Sequence, residues 1–203
     1  MAYRRTAAVQ ARLDAARGAI LRAAIGLLTE HGYAGCSVAA VAGRAGVATG
    51  TVYRHFPTKA HLVTEVFREA AGREVAAVGA AIRQPGPVAG RITALIETFA
   101  GRAFKSPRLA YALLAEPVDP AVDAERLVFR RAYRDLVAAT VADGVATGVL
   151  PPQNPDITAA ALVGAIAEAL VGPLAAGAAE VDTIPSLITF AHRATGATRA
   201  THA

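Results

Sequence analysis

The stretch SVAAVAGRAGVATGTVYRHFPTK, residues 37–59, decides the fold of this chain. Ser37 is a helix-capping residue type, and the apolar residues that follow it recur at helical spacing, which predicts a short helix. Gly46 favours the positive φ of a tight turn, and a second short helix follows over about Thr49 to His55. Pro57 ends that helix, because the residue before a proline avoids the α region. Two short helices joined by a glycine turn form a helix-turn-helix.

The second of these helices presents side chains of the kinds that contact DNA. We predict that Val52 and Phe56 face inward, which leaves hydroxyl, phenol, guanidinium and imidazole groups toward solvent. Such groups bind phosphates and base edges, and the chain has no carboxylate between Glu30 and Glu65. The predicted DNA-binding residues are Ser37, Thr49, Gly50, Thr51, Tyr53, Arg54, His55, Thr58 and Lys59. Among them we assign phosphate contacts to Tyr53, Thr58 and Lys59, base contacts to Thr49, Thr51 and Arg54, and either kind to His55.

The segment AGVATGTVYRHFPTK, residues 45–59, resembles the signature of the TetR family of bacterial transcriptional repressors. The resemblance covers about residues 17–70 and includes the core G-x-[LIV]-Y-x-[HY]-F with the following Pro and Lys. It implies a homodimer that binds operator DNA and releases it when a small molecule binds the C-terminal helices. Two positions depart from the family pattern. His61 stands where an acidic partner of the Thr58 cap is common, and Gly43 costs about 1 kcal/mol of helix propensity.

Positive charge is concentrated around this motif. Residues 1–60 carry eight Arg and Lys side chains against two Asp and Glu, whereas residues 61–203 carry 13 against 14. The whole excess of the chain, +5 at pH 7, therefore belongs to the helix-turn-helix region. Such a distribution is the electrostatic footprint of a nucleic-acid-binding surface. A solvated basic face is the alternative interpretation.

The remaining periodicity predicts an all-α protein of about nine helices. We divide it into a helix-turn-helix DNA-binding domain, residues 1–60, and a ligand-binding and dimerisation domain, residues 61–203. Residues 1–16 are predicted to be a flexible basic arm or a frayed extension of the first helix, and residues 195–203 to be disordered. A fourth helix, from Thr58 to about Ile82, joins the two domains, and an eighth helix runs from Pro155 to about Leu170.

Helices five to eight carry aromatic and polar residues that are candidates for an effector site. Pockets between bundle helices are mostly apolar with a few polar anchors. The predicted ligand-binding residues are Glu97, Phe99, Phe104, Tyr111, Arg126, Phe129, Tyr133 and Glu168. Ordinary core packing is the alternative for each of the aromatic residues. Because the chain has no Trp and few aromatics, we predict a small, mostly apolar or weakly polar effector.

Other functional classes find little support in the sequence. The most apolar run, Ile157 to Leu174, is interrupted by Glu168 and Gly172-Pro173, which favours a buried helix over a membrane span. The single cysteine, Cys36, permits no intramolecular disulfide and suits the cytoplasm. The sequence has no H-E-x-x-H, paired Cys, P-loop or G-x-G-x-x-G pattern, so we predict no metal, no cofactor and no catalysis.

These observations predict a cytoplasmic transcriptional repressor that dissociates from a palindromic operator when an effector binds. We predict a homodimer through helices eight and nine, since Ala161, Ala165 and Ala169 recur at four-residue spacing and allow close helix approach. The alternative is an all-α small-molecule-binding protein or enzyme with a non-functional helix-turn-helix. Salt-dependent, sequence-selective DNA binding distinguishes the two.

Overall fold

The computed structural model of the chain describes residues 7–177 and 182–197. Within these ranges the chain forms nine α-helices and no strand, which confirms the predicted all-α fold. The helices are α1 (Ala7–Gly35), α2 (Val38–Ala45), α3 (Thr49–His55), α4 (Lys59–Ile82), α5 (Val88–Lys105), α6 (Pro107–Leu114), α7 (Pro120–Ala146), α8 (Pro155–Ala176) and α9 (Thr183–Thr195).

The first three helices share one hydrophobic core. Ile20 of α1, Val41 of α2 and Val52 of α3 are fully buried in it, together with Phe56. The same core takes in the first turns of α4 and one buried residue of α6, Ala112, and Leu109 of α6 packs against it. The N-terminal core therefore extends past residue 60 and is continued by a wall of the C-terminal helices.

A second core lies among α4, α5, α7, α8 and α9. Its most buried members include Val78 from the far end of α4, Ile96 from α5, Val141 from α7 and Leu170 from α8. Helix α4 thus contributes its beginning to the first core and its end to the second. At 1.5 Å per residue, its 24 residues span about 36 Å. This helix connects the helix-turn-helix directly to the C-terminal domain.

The N-terminal arm predicted over residues 1–16 is helical where the structure describes it. Helix α1 begins at Ala7 rather than near Arg17, and the Gln10 amide donates to the Asp14 carboxylate at 2.9 Å. Residues 7–16 consist largely of Ala, Arg, Leu and Gln, which favour helix even when they are exposed. These residues therefore form the extension of the first helix, and residues 1–6 lie outside the described ranges.

The C-terminal segment predicted to be disordered also begins with ordered residues. Helix α9 continues to Thr195, which is buried and whose hydroxyl donates to the Ala191 carbonyl at 2.8 Å. The Gln153 amide donates to the Thr195 carbonyl at 2.9 Å, and Ala197 is buried. These contacts hold residues 195–197 against the second core, which corrects the prediction for them. Residues 198–203 lie outside the described ranges.

Helix α8 is longer than predicted. It passes through Pro173 and ends at Ala176, followed by the cap residue Gly177, whose φ is 68°. Pro173 removes one backbone donor from the helix, but burial of Leu174 in the second core holds the last turn in place. Among the described helices, α8 alone is long and apolar enough to cross a membrane by length and composition. One such helix is weak evidence for a span, because buried helices of soluble proteins satisfy the same criteria.

Candidate nucleic-acid interface and ligand cavity

The helix-turn-helix has the caps and the turn that its sequence predicts. The Ser37 hydroxyl accepts a hydrogen bond from the Ala40 nitrogen at 3.2 Å and so caps α2. Gly46 ends α2 with φ at 67°, a conformation that L-residues with a side chain rarely adopt. The Val47 nitrogen then donates to the Ala42 carbonyl at 3.0 Å, which closes the turn before α3 begins.

Helix α3 divides cleanly into a buried and an exposed face. Val52 is fully buried, whereas Tyr53 is 48% exposed. Thr49, Gly50 and Arg54 are also exposed, and Thr51 and His55 are half-buried at the edges of this face. The burial of Val52 and of Phe56 just after the helix fixes the rotation of α3, so its polar side chains point away from the core.

The start of α4 lies beside this face. The Thr58 hydroxyl accepts from the His61 nitrogen at 3.0 Å, so Thr58 caps α4 although His61 replaces the usual acidic partner. Thr58 and Lys59 are exposed. The Lys59 ammonium lies 4.9 Å from the centroid of the Tyr33 ring, a cation–π contact that holds it at the edge of the surface.

Glu30 and Glu65, the carboxylates that flank the helix-turn-helix in the sequence, are paired with arginines. Glu30 accepts from Arg44 at 2.5 Å, and this hydrogen bond lowers the pKa of Glu30. Glu65 accepts from Arg17 at 2.6 Å and from Arg68 at 2.7 Å. Burial raises the pKa of Glu65, but these two arginines outweigh burial and lower it overall. The negative charges of Glu30 and Glu65 are therefore compensated by neighbouring arginines.

The C-terminal domain encloses a cavity of about 280 Å³ between α4, α5, α6, α7 and α8. Its lining is mostly apolar and comes from every one of these helices. Representative wall residues are Phe67 and Ala71 of α4, Leu95 and Phe99 of α5, Leu109 and Leu113 of α6, Phe129 and Val137 of α7, and Val163 and Ile166 of α8. A volume of this size fits a small molecule.

The structure brings four of the eight predicted ligand-binding residues to this cavity. Phe99, Arg126, Phe129 and Tyr133 line it, and the rings of Phe99 and Tyr133 meet edge to face at 5.2 Å between centroids. Phe104 and Tyr111 do not line it. They are partly buried against the second core, as in the alternative of ordinary core packing.

The other two predicted residues are exposed on outer helix faces. Glu97 lies two positions before Phe99, and at 100° per residue this turns it about 200° from the cavity wall. Glu168 follows Ala167, which lines the cavity, but it belongs to the exposed side of α8. Polarity does not indicate how a helix is rotated, and the rotation of α5 and α8 turns both acids away from the cavity.

Charged groups inside the lining are mostly arginine and lysine. Glu74 is its one carboxylate among the described residues, and it accepts two hydrogen bonds from the Arg102 guanidinium, at 2.5 and 2.8 Å. The Arg126 guanidinium donates to the carbonyls of Leu113 at 3.0 Å and Glu116 at 2.8 Å, which caps the end of α6. Arg126 is therefore an organiser of the cavity wall as well as part of its lining.

A contact between the two domains was not anticipated from the sequence. A carboxylate oxygen of Glu116, in the loop after α6, accepts a hydrogen bond from the Tyr33 nitrogen at 2.9 Å. The contact forms where Gly32 interrupts α1 with φ at 68° and ψ at −170°. The Tyr33 hydroxyl also donates to Asp119, and burial together with this bond raises the pKa of Tyr33 to about 12. Glycine is a residue type that commonly ends a helix, but no pattern in the sequence indicates that Glu116 contacts this turn.

The N-terminal part of the chain is a three-helix core that presents a recognition-type helix. Helix α4 joins this core to a helical domain with an apolar cavity. This arrangement is that of the helix-turn-helix class of regulatory folds. The family described as "Bacterial regulatory proteins, tetR family" matches residues 20–66, which places the helix-turn-helix region of the chain in this family.

Similar proteins agree with this assignment. The uncharacterized HTH-type transcriptional regulator Mb0790c of Mycobacterium bovis is 32% identical over 140 residues, which are 67% of this chain and 60% of that protein. The HTH-type transcriptional regulator CymR of Pseudomonas putida is 47% identical over 51 residues, 25% of each chain. The match thus spans less than two thirds of either relative. FadR of Bacillus subtilis, solved in complex with stearoyl-CoA, shares the fold at a TM-score of 0.75 and 17% identity, over 90% of this chain and 99% of that chain.

Proposed function

We propose that this chain is a DNA-binding transcriptional regulator, a repressor that leaves a palindromic operator when a small, mostly apolar effector binds. The observation that carries the proposal is the exposed polar face of α3. Thr49, Tyr53 and Arg54 are exposed on it, whereas Val52 on the opposite face is buried. The match of the helix-turn-helix region to the TetR family supports it. Its relatives include proteins named as HTH-type transcriptional repressors, such as KstR of Rhodococcus jostii.

In this proposal the residues of the surface divide into two groups. Lys59, Tyr53 and Thr58 bind phosphates and set the register on the duplex. Thr49, Thr51 and Arg54 enter the major groove and contact base edges, where Arg recognises guanine through two hydrogen bonds. His55 lies at the edge of the face and serves either purpose, and the backbone at Gly50 and the Ser37 cap approach the phosphates.

We further propose that two copies associate through α8 and α9. The support is an apolar face of α8 that one subunit leaves uncovered: Ile157 is 67% exposed, and Ala161 and Gly164 are exposed beside it. A side chain at Gly164 would meet no atom within 4 Å, so its own subunit does not require a small residue there. Phe190 of α9, 45% exposed, extends the same kind of surface. Large exposed apolar patches mark interaction sites.

The proposed effector site is the cavity among α4 to α8. Its walls include the two elements that contact the N-terminal core, namely α4, which carries Lys59 at its first turn, and α6, whose Ala112 packs into that core. A ligand that favours a different packing of α4 or α6 therefore changes the angle of the DNA-binding domain. In a dimer the two recognition helices must lie about 34–36 Å apart to enter successive major grooves, so a change of angle releases DNA.

The rival proposal is an all-α ligand-binding protein or enzyme with a non-functional helix-turn-helix. TetR-family proteins are regulators, and we assign this chain no catalytic role and a place in the cytoplasm with the DNA. The selection of duplexes from random DNA by the purified full-length protein separates the two proposals. We expect enrichment of a palindrome with half-sites about one helical turn apart. Failure to enrich any sequence would favour the rival.

A further inference from the structure

The charged side chains that line the cavity without an ion-pair partner among the described residues are cationic. Among the four cationic residues of the lining, Arg102 is paired with Glu74, and Arg126 is occupied by carbonyls of α6 and by Asp123. Lys105 and Arg130 form no ion pair with any carboxylate in residues 7–177 and 182–197. Both are exposed and also line the cavity, so they lie at its opening.

A third donor lies deeper in the same cavity. The Tyr133 hydroxyl makes no hydrogen bond to the described residues, although its ring is held edge to face against Phe99. Burial, with the negative charge of Glu74 nearby, raises the pKa of Tyr133, so the phenol keeps its proton. With no acceptor among the described residues, the hydroxyl can donate to a ligand oxygen in the cavity.

We propose that the cavity binds an amphipathic acid, whose apolar body packs among Phe67, Phe99 and Phe129 and whose anionic group is bound by Arg130 and Lys105 at the opening. The apolar walls favour the apolar part of the ligand, because its burial removes apolar surface from water. The two unpaired cations and the Tyr133 hydroxyl favour a ligand with a hydrogen-bond acceptor. The one carboxylate of the described lining, Glu74, does not compete for them because it is paired with Arg102. A cationic ligand would meet a net positive opening.

The role of the acid as an effector rests on the proposed function. The binding of the acid in the cavity does not, because it requires no DNA. Decanoate is a suitable probe, with decanamide as its neutral isostere and decylamine as its cationic counterpart. Each is titrated calorimetrically into the full-length protein at pH 7. We expect decanoate to bind with one site per chain and about tenfold tighter than decanamide, with decylamine weakest.

Charge-removing variants locate the anion. The double variant Lys105→Gln, Arg130→Gln should weaken decanoate about tenfold and leave decanamide unchanged. The matched control Arg83→Gln, Arg134→Gln removes two exposed charges outside the lining and should leave both affinities unchanged. Tyr133→Phe keeps the ring against Phe99, removes only the hydroxyl and should weaken decanoate several-fold.

Three results would overturn the proposal: decanamide binding as tightly as decanoate, no saturable binding of any probe, or equal losses in the two double variants. The proposed function is tested separately, by the affinity of the protein for the selected DNA duplex. If decanoate binds as described but leaves DNA affinity unchanged, the acid site stands and its role as effector site fails. If no duplex is selected, the regulator function fails while the titration result is unaffected.

Discussion

The Glu116 carboxylate accepts a hydrogen bond at 2.9 Å from the backbone nitrogen of Tyr33, and this bond ties the loop after α6 to the end of α1. The relationship joins the wall of the proposed effector cavity to the N-terminal core by a route separate from α4. Leu113 lies in the last turn of α6 and lines the cavity. Its carbonyl accepts a hydrogen bond from the Arg126 guanidinium at 3.0 Å. We therefore expect movement of α6 to be transmitted to Tyr33 through these contacts.

Removal of the Glu116 acceptor should destabilise the protein. Glu116→Ala leaves the Tyr33 nitrogen without its partner and should lower the free energy of unfolding by about 1–3 kcal/mol. Glu116→Gln keeps an acceptor oxygen and should recover most of that loss. Urea denaturation of the three proteins measures the difference. Equal stability of the Ala variant and the parent would show that the bond contributes nothing.

Gly32 should tolerate no side chain. Its φ of 68° and ψ of −170° fall in a region that is nearly exclusive to glycine, and an added Cβ would lie 3.0 and 3.1 Å from the Glu116 carboxylate oxygens. Gly32→Ala should cost about 1–3 kcal/mol in thermal or urea unfolding. Gly43→Ala is the matched control: Gly43 is exposed within α2, with open space around it, so alanine should stabilise by about 0.5–1 kcal/mol. A Gly32 variant as stable as the control would refute the strained turn.

The helix-turn-helix was predictable because its signals are local. A capping serine, a glycine with positive φ and a proline lie within 21 residues, and each acts on its own neighbours, so the bounds of α3 match the prediction from Thr49 to His55. The same holds for Asn154, whose side chain accepts from the nitrogens of Asp156 and Ile157 at the start of α8.

The cavity and the interdomain contact could not be predicted to the same extent. Five helices line the cavity, and membership of its wall depends on how each is rotated by its packing against the others. Phe99 and Tyr133 were predictable because aromatic residues are frequent in such walls. The prediction for Glu97 was wrong because the polarity of a residue does not indicate how its helix is rotated. Glu116 and Tyr33 are 83 residues apart, and no local pattern links them.

Arg54 and Lys59 should affect DNA binding in different ways. Arg54→Ala should cost about 1–3 kcal/mol on the best site and relax the preference at one base position. Lys59→Ala should weaken all duplexes alike and reduce the salt slope by about one. Arg83→Ala, exposed at the other end of α4, is the control and should leave affinity unchanged. Fluorescence anisotropy on selected and scrambled duplexes measures all three. If Arg54→Ala weakens both duplexes equally, its assignment to a base is wrong.

The apolar face of α8 should be the contact between subunits. Ala161→Arg places a long charged side chain on this face, where Ala161 is exposed in the single subunit, and should convert the dimer to a folded monomer. Ala80→Arg, at an exposed position of α4, is the control and should remain dimeric. Sedimentation velocity reports the mass of each variant, and circular dichroism reports its fold. A dimeric, folded Ala161 variant would place the interface elsewhere.

The most direct test of sequence-selective DNA binding is the affinity ratio between the selected palindrome and a scrambled duplex, measured over a series of salt concentrations. The proposed regulator should prefer the palindrome by about 10³-fold or more at physiological salt. The logarithm of its binding constant should fall with the logarithm of salt concentration at a slope near −5, as expected for about six neutralised phosphates. Equal affinity for both duplexes at every salt concentration would contradict the account, since it would leave a basic surface without sequence recognition.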